Sequence, residues 1–129
     1  MLEVGLTLEQ SLIVTEQLTA SNLGSGALLV YGTPYMIAFM EGTSRKCVQP
    51  YLEEGCGTVG TMVNIKHLAA SPIGMKITCR ATLIEVDRRR LLFEVKAYDD
   101  DGLIGEGTHE RFIINNDKFM EKTTAKLSK

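Results

Sequence analysis

Two residues stand on faces whose other members are apolar, and both carry side chains that can move protons or attack carbon. Glu41 shares one side of a helix with Ile37, Val48 and Leu52, by spacings of four, seven and eleven. A carboxylate there is costly unless it is paired or put to use. Two readings stay open: a residue at the helix margin that reaches water, or a buried, desolvated carboxylate. His67 alternates with Val63, Ile65 and Ala69 along the apolar face of a strand, while Met62, Asn64, Lys66 and Leu68 point the other way. A lone histidine on such a face is more often structural than catalytic. Held in the same dry core as a glutamate, it becomes half of an acid–base or nucleophile–base pair.

Other candidates have competing explanations. Gly105, Gly107, His109 and Arg111 share one face of the last strand, and two adjacent glycines there mean that something presses close, either a helix or a ligand. Arg111 can meet an anionic substrate group or pair with a neighbouring carboxylate. His109 can be catalytic too, although nothing in its neighbours favours it over His67. Thr33 precedes a proline and suits a helix N-cap, which accounts for it fully. The run Arg88-Arg89-Arg90 lies between two strands and reads as a solvated turn, with a weak grip on a ligand phosphate as the alternative. No GxSxG elbow, Walker loop, GxGxxG fingerprint or HExxH helix occurs. Two histidines without clustered ligands make a metal mechanism improbable, and no cofactor is implied.

The elements that must hold these residues follow from periodicity. Residues 2–18 mix β-branched and polar types and read as a strand region broken near Glu9-Gln10; Thr19 to Gly26 is small and polar and reads as a flexible loop. A helix begins at Thr33-Pro34 and runs to about Val48. Tyr35 to Met40 is apolar all round, the pattern of a helix wrapped on several sides. Gly42 inside it costs about 1 kcal/mol, usually accepted where another backbone comes close. Pro50 ends or kinks the helix, and Gly55 and Gly57 close the segment. Thereafter turn chemistry at Ser71-Pro72-Ile73-Gly74, Asp87 to Arg90 and Asp99 to Gly102 divides strands at about 58–70, 75–86, 90–98 and 103–115, an antiparallel meander. Ile77, Cys79, Ala81 and Leu83 share one face, as do Leu91, Phe93, Val95 and Ala97. Such a sheet buries its apolar face by curling around the one long helix. The expected class is α+β, one domain over residues 1–129, with a frayed tail from Lys122.

Composition narrows the partners. With 14 Lys and Arg against 16 Asp and Glu, the chain has no broad field to attract nucleic acid. Cys47, Cys56 and Cys79 are odd in number and form no CxxC pair, which suits a reducing compartment. No basic leader with an apolar run opens the chain, and no stretch approaches the ~20 apolar residues of a membrane span. A soluble, cytoplasmic protein is expected.

The one-helix, five-strand pattern, the helix opening Thr33-Pro34 and the strings Gly57-Thr58-Val59-Gly60-Thr61 and Gly107-Thr108-His109-Glu110-Arg111-Phe112 together resemble the hotdog thioesterases, in particular the fluoroacetyl-CoA thioesterase group. The resemblance runs from about Thr33 to Phe119, roughly two thirds of the chain. It implies a hotdog fold and a catalytic set of Thr33, Glu41 and His67, with Gly60 and Arg111 shaping the acyl pocket. It also implies a homodimer with pockets at the shared interface, pairing into a dimer of dimers being left open. The group's fluoroacetate specialist carries an aromatic, proline-rich lid, whereas Ala20 to Tyr31 here reads ASNLGSGALLVY, without phenylalanine or proline. The substrate expected is therefore a short-chain acyl-CoA rather than fluoroacetyl-CoA. The alternatives on this fold are a non-hydrolytic acyl-CoA or small-ligand binding protein and an acyl-thioester hydratase or dehydratase.

Overall fold

The computed structural model describes residues 1–129. Its elements are β1 (Thr7–Ile13), a short helix α1 (Ala20–Leu23), the long helix α2 (Thr33–Val48), β2 (Cys56–His67), β3 (Lys76–Asp87), β4 (Arg90–Asp99), β5 (Gly102–Asn115) and α3 (Asn116–Thr124), with single 3-10 turns at Glu16–Leu18, Gln49–Tyr51 and Ala125–Ser128. The five strands form one antiparallel sheet in the order β1-β3-β4-β5-β2.

The inner face is the one read from alternation. Ile77, Cys79, Ala81 and Leu83 of β3 and Leu91, Phe93, Val95 and Ala97 of β4 are all fully buried. Met36, Met40, Cys47 and Val48 of α2 are buried in the same core. At about 1.5–3 kcal/mol for each large apolar side chain, this layer is the main force curling the sheet onto the helix.

Several sequence expectations need correction. β1 runs unbroken through Glu9-Gln10, because its pairing with β3 continues from Thr7 to Ile13. Thr19 to Gly26 is not a plain loop: Thr19 is fully buried and accepts from the Asn22 N–H, opening α1, and Gly24 ends that turn in the left-handed region at φ 83°. Only β3, β4 and β5 form a meander; β2 crosses over to pair with β5 and leaves its own outer edge free. The helix is not wrapped throughout, since Ala38 is exposed. The tail from Lys122 is helical, though exposed on every residue.

Thr33 is not the N-cap of α2. Gly32 takes that position without a side-chain cap, and Pro34 lies in the first turn. The Thr33 hydroxyl is thereby released from the role that would explain it.

The glycines of β5 divide by cause. A Cβ at Gly105 would fall 2.6 Å from the thioether of buried Met36, so the helix presses there; a Cβ at Gly107 would collide with the Asn64 carbonyl of β2, so there the neighbouring strand presses. Gly42 has no such reason, since nothing lies within 4 Å of the Cβ it lacks. Gly42→Ala is therefore expected to stabilise the chain by about 0.5–1 kcal/mol, read from the urea midpoint. A loss of stability would mean that something outside the chain occupies this side of α2.

Candidate active site

One flank of α2, displayed every four residues, carries Thr33, Ile37, Glu41 and Arg45 over the β2–β5 side of the sheet. Thr33 Oγ1 lies 2.7 Å from Nδ1 of His67, near the end of β2. The other nitrogen of His67, Nε2, is buried without a hydrogen-bond partner. Burial holds the His67 pKa below its ordinary 6.5, opposed by the Ala69 backbone, so the imidazole is neutral through neutral pH. Tyr31 stands edge-on to it, ring centroids 6.5 Å apart, and its own buried hydroxyl also lacks a partner. A cavity of about 310 Å³ adjoins this pair, lined by Ala20, Ser25, Val30, Tyr31, Thr33 and His67 together with Leu68 to Ala70.

Glu41 lies two helical turns further on and belongs to a second group. It is half-buried and makes no hydrogen bond within the chain. Gly60 is what lets it lie against the sheet: a Cβ there would be 3.1 Å from Glu41 Oε2, 3.1 Å from His109 Cε1 and 3.3 Å from Arg111 Nη1. Three charged or titratable groups thus converge over one missing side chain. Arg111 is 6% exposed and donates from Nε to Thr58 Oγ1 at 2.7 Å and from Nη2 to the Thr58 carbonyl at 2.8 Å. It forms no ion pair, so of the two readings open for it the neighbouring-carboxylate pairing is not made. Burial draws its pKa down, against the pull of the Glu41 charge and with the Arg45 charge adding to the fall.

The structure therefore brings Thr33 to His67, and Glu41 to Gly60 and Arg111, but it does not bring the two groups together within one chain. Eight helical residues separate Thr33 from Glu41 by about 12 Å. The seven from Gly60 to His67 span about 23 Å of strand. Sequence reasoning left His109 aside and did not single out Thr58, yet both hold Arg111. The signal for them was available in the alternation, since Thr58 and His109 each lie two residues from a residue of this group on its own strand. The arginine run resolves as a turn with Arg88 at φ 58°; Arg90 pairs with Glu85 and Glu110 on the outer face of the sheet.

A curled antiparallel sheet around one long helix is the hotdog architecture, the fold of a class of thioesterases. The sequence profile of the family described as fluoroacetyl-CoA-specific thioesterase, FlK, matches residues 14–117, and the chain belongs to that family. It is 41% identical over 97 residues to the fluoroacetyl-CoA thioesterase of Streptantibioticus cattleyicolor, covering 75% of this chain and 70% of that one. The solved structure of the fluoroacetyl-CoA thioesterase FlK superposes with a TM-score of 0.91 at 34% identity, covering 98% of both chains. A Thermus thermophilus protein described as a thioesterase superfamily member superposes with a TM-score of 0.88 at 31% identity, over 98% of this chain and 93% of that one.

The two depressed histidines have a consequence for stability. A group whose folded pKa lies below its unfolded value leaves stability intact above the unfolded value and removes it as pH falls towards the folded one. Burial depresses both His67 and His109 from 6.5, so the melting temperature should fall as pH drops below about 6.5. His109→Gln should reduce the proton uptake on unfolding in that range, measured from the pH slope of the denaturation free energy. An unchanged slope would show that His109 protonates freely in the folded protein.

Proposed function

We propose that residues 1–129 act as one hotdog domain that hydrolyses a short-chain acyl-CoA to the free acid and coenzyme A, with Thr33, Glu41 and His67 as the catalytic set. The observation that carries this reading is a pair of unsatisfied groups along one flank of α2, Glu41 on the helix and His67 on β2 against its start. His67 is oriented by Thr33 with Nε2 buried and unbonded, and Glu41 is half-buried and unbonded beside a cationic group. Glu41 acts on the thioester carbonyl, directly as nucleophile or through a water molecule that it deprotonates. In the direct route the C–S bond breaks as Glu41 takes the acyl group, and water then hydrolyses the resulting anhydride to the free acid and Glu41; in the water route hydroxide adds to the carbonyl and the C–S bond breaks. In both, the proton given up by water passes, with His67 as carrier, to the thiolate sulfur, which leaves as the CoA thiol. Thr33 holds the imidazole, while Gly60 and Arg111 shape the acyl site and offer donors where negative charge develops on the carbonyl oxygen. The 310 Å³ cavity beside Thr33 and His67 suits a short acyl group. The solved relative with bound fluoroacetate and CoA supports a CoA thioester as substrate class. Residues 20–31 hold no phenylalanine or proline, unlike the aromatic, proline-rich lid that the resemblance gives the fluoroacetate specialist, which favours an acyl group other than fluoroacetyl.

The functional unit proposed is a homodimer. β2 has twelve residues with an unpaired outer edge, and Met62 and Val63 on it are 37% and 45% exposed, a liability that a second copy removes by antiparallel pairing. A two-fold axis between Val63 and Asn64 would set the partner subunit's His67 opposite Gly60, closing the gap between the two groups of the site. Cytoplasmic placement is supported by three unpaired cysteines, and no helix is long and apolar enough to cross a membrane.

Thiol release from a panel of short acyl-CoAs tests the chemistry. Glu41→Ala and His67→Ala are each expected to lower kcat by roughly 10²-fold or more. Full activity in both variants, or tight acyl-CoA binding without any thiol release by the wild type, would overturn the hydrolase reading. Co-expression of the two variants tests the shared site. Random pairing gives mixed dimers in half the population, each with one complete site, so about a quarter of wild-type activity should return. No recovery would place all three groups at work within a single chain.

A further inference from the structure

The chain holds a fully buried histidine that the proposed chemistry does not use. His109 of β5 is 1% exposed, stacks on Phe93 with ring centroids 6.3 Å apart, and lies with Cε1 beside Gly60. Its two nitrogens have partners of fixed chemistry. Nδ1 is 2.8 Å from the Met62 carbonyl, which only accepts, and Nε2 is 3.2 Å from Arg111 Nη1, which only donates. The proton must therefore sit on Nδ1 and a lone pair on Nε2. No tautomer or charge state other than the neutral Nδ1–H form satisfies both contacts.

Arg111 is in turn held at three of its five N–H groups: Nε on the Thr58 hydroxyl, Nη2 on the Thr58 carbonyl and Nη1 on His109. Five less three leaves two N–H groups, one on each Nη. The Nη1 end, 3.3 Å from the position of the missing Gly60 Cβ, faces the same gap as Glu41 Oε2. Thr58 anchors one side of the guanidinium, and without His109 the Nη1 side has no anchor.

We propose that His109 is a positioning residue: its neutral imidazole, locked as the Nδ1–H tautomer by the Met62 carbonyl, turns the Arg111 guanidinium so that its free N–H groups form the anion-binding edge over Gly60. The ligand chemistry is a carbonyl oxygen gaining negative charge, or the carboxylate product. Its role in turnover rests on the hydrolase reading above, whereas the locking itself is a property of the folded chain. A protonated His109 would face Arg111 with a second N–H and a second positive charge. The groups that face it are Arg111, which opposes that charge, Glu41, which favours it, the Met62 carbonyl and the neutral Phe93 ring.

Two measurements on the full chain test this. The first is a long-range 1H–15N spectrum at pH 7.5, in which His109 should appear as the neutral Nδ1–H tautomer. In His109→Leu the separate Arg111 Nη signals should merge as the guanidinium begins to rotate. An Nε2–H or charged His109, or Arg111 signals that do not respond, would overturn the proposal whether or not the protein is a hydrolase. The second is kinetic, with the acyl-CoA that the wild type turns over. His109→Leu should lower kcat about tenfold with KM changed less than about threefold, His109→Gln should restore most of it, and in an Arg111→Ala background His109→Leu should add less than about twofold. Equal losses from His109→Leu in both backgrounds would mean that it acts through folding rather than through Arg111. A wild type that releases no thiol would defeat the hydrolase reading and leave the spectroscopic result to decide this one.

Discussion

Ile77, Cys79, Ala81 and Leu83 of β3 and Leu91, Phe93, Val95 and Ala97 of β4 form a fully buried apolar face, and a single sixteen-residue helix is the main element available to cover it. The sheet has to curl around α2 for this surface to leave water. Much of the remaining architecture follows. The centre of the helix is committed to packing, with Met36 and Met40 completely enclosed. Polar chemistry can then occupy only the flanks, where the curled sheet ends. The flank over β2 and β5 is the one with room, because glycine stands at Gly60. Thr33, Glu41 and Arg45 follow each other down that flank for the same reason that Met36 and Met40 follow each other into the core: both sets ride the helical repeat.

The layered core was legible because alternation is a local property of each strand. Ile77 to Leu83 and Leu91 to Ala97 needed no knowledge of their partners to be assigned to one face. Strand order was not legible, since a meander and a crossover share the same local pattern, and only the pairing of β2 with β5 separates them. The helix was legible from Pro34 and the apolar run, but its first residue was misplaced by one position, with a large effect on interpretation. As an N-cap, Thr33 has its hydroxyl engaged by the backbone; as the first helical residue behind Gly32, it is free to hold His67. Gly42 shows the opposite failure, a glycine with a plausible packing reason that the fold does not supply. Glu41 and His67 were visible as oddities on apolar faces, while the contacts that give them meaning come from residues distant in sequence.

Buried charge explains why Arg111 needs so much support. An isolated guanidinium taken from water carries a penalty of several kcal/mol, comparable to the burial of two or three core side chains. Proteins usually meet that penalty with a carboxylate in direct contact. Here Glu41 is close enough to pull on the arginine through its field yet makes no ion pair with it. Neutral acceptors do the work instead: the hydroxyl and carbonyl of Thr58 and the lone pair of His109. The choice has a chemical consequence. A directly paired carboxylate would neutralise the arginine and occupy its free N–H groups, whereas neutral acceptors leave both its charge and part of its donor edge available.

The same logic applies at the other end of the flank. His67 is oriented by a neutral hydroxyl, not by a carboxylate, so burial dominates and the imidazole stays uncharged, with Nε2 unsatisfied. Were Glu41 hydrogen-bonded to His67 within the chain, the pair would favour the imidazolium and each would satisfy the other. Keeping them about two helical turns apart preserves a neutral base at one end and an unbonded carboxylate beside a cation at the other. Neither group is spent on its neighbour. An arrangement that leaves both unsatisfied in the folded chain is costly to stability, and under the proposed function it persists because a substrate between the two ends, with a second copy of β2, would complete it.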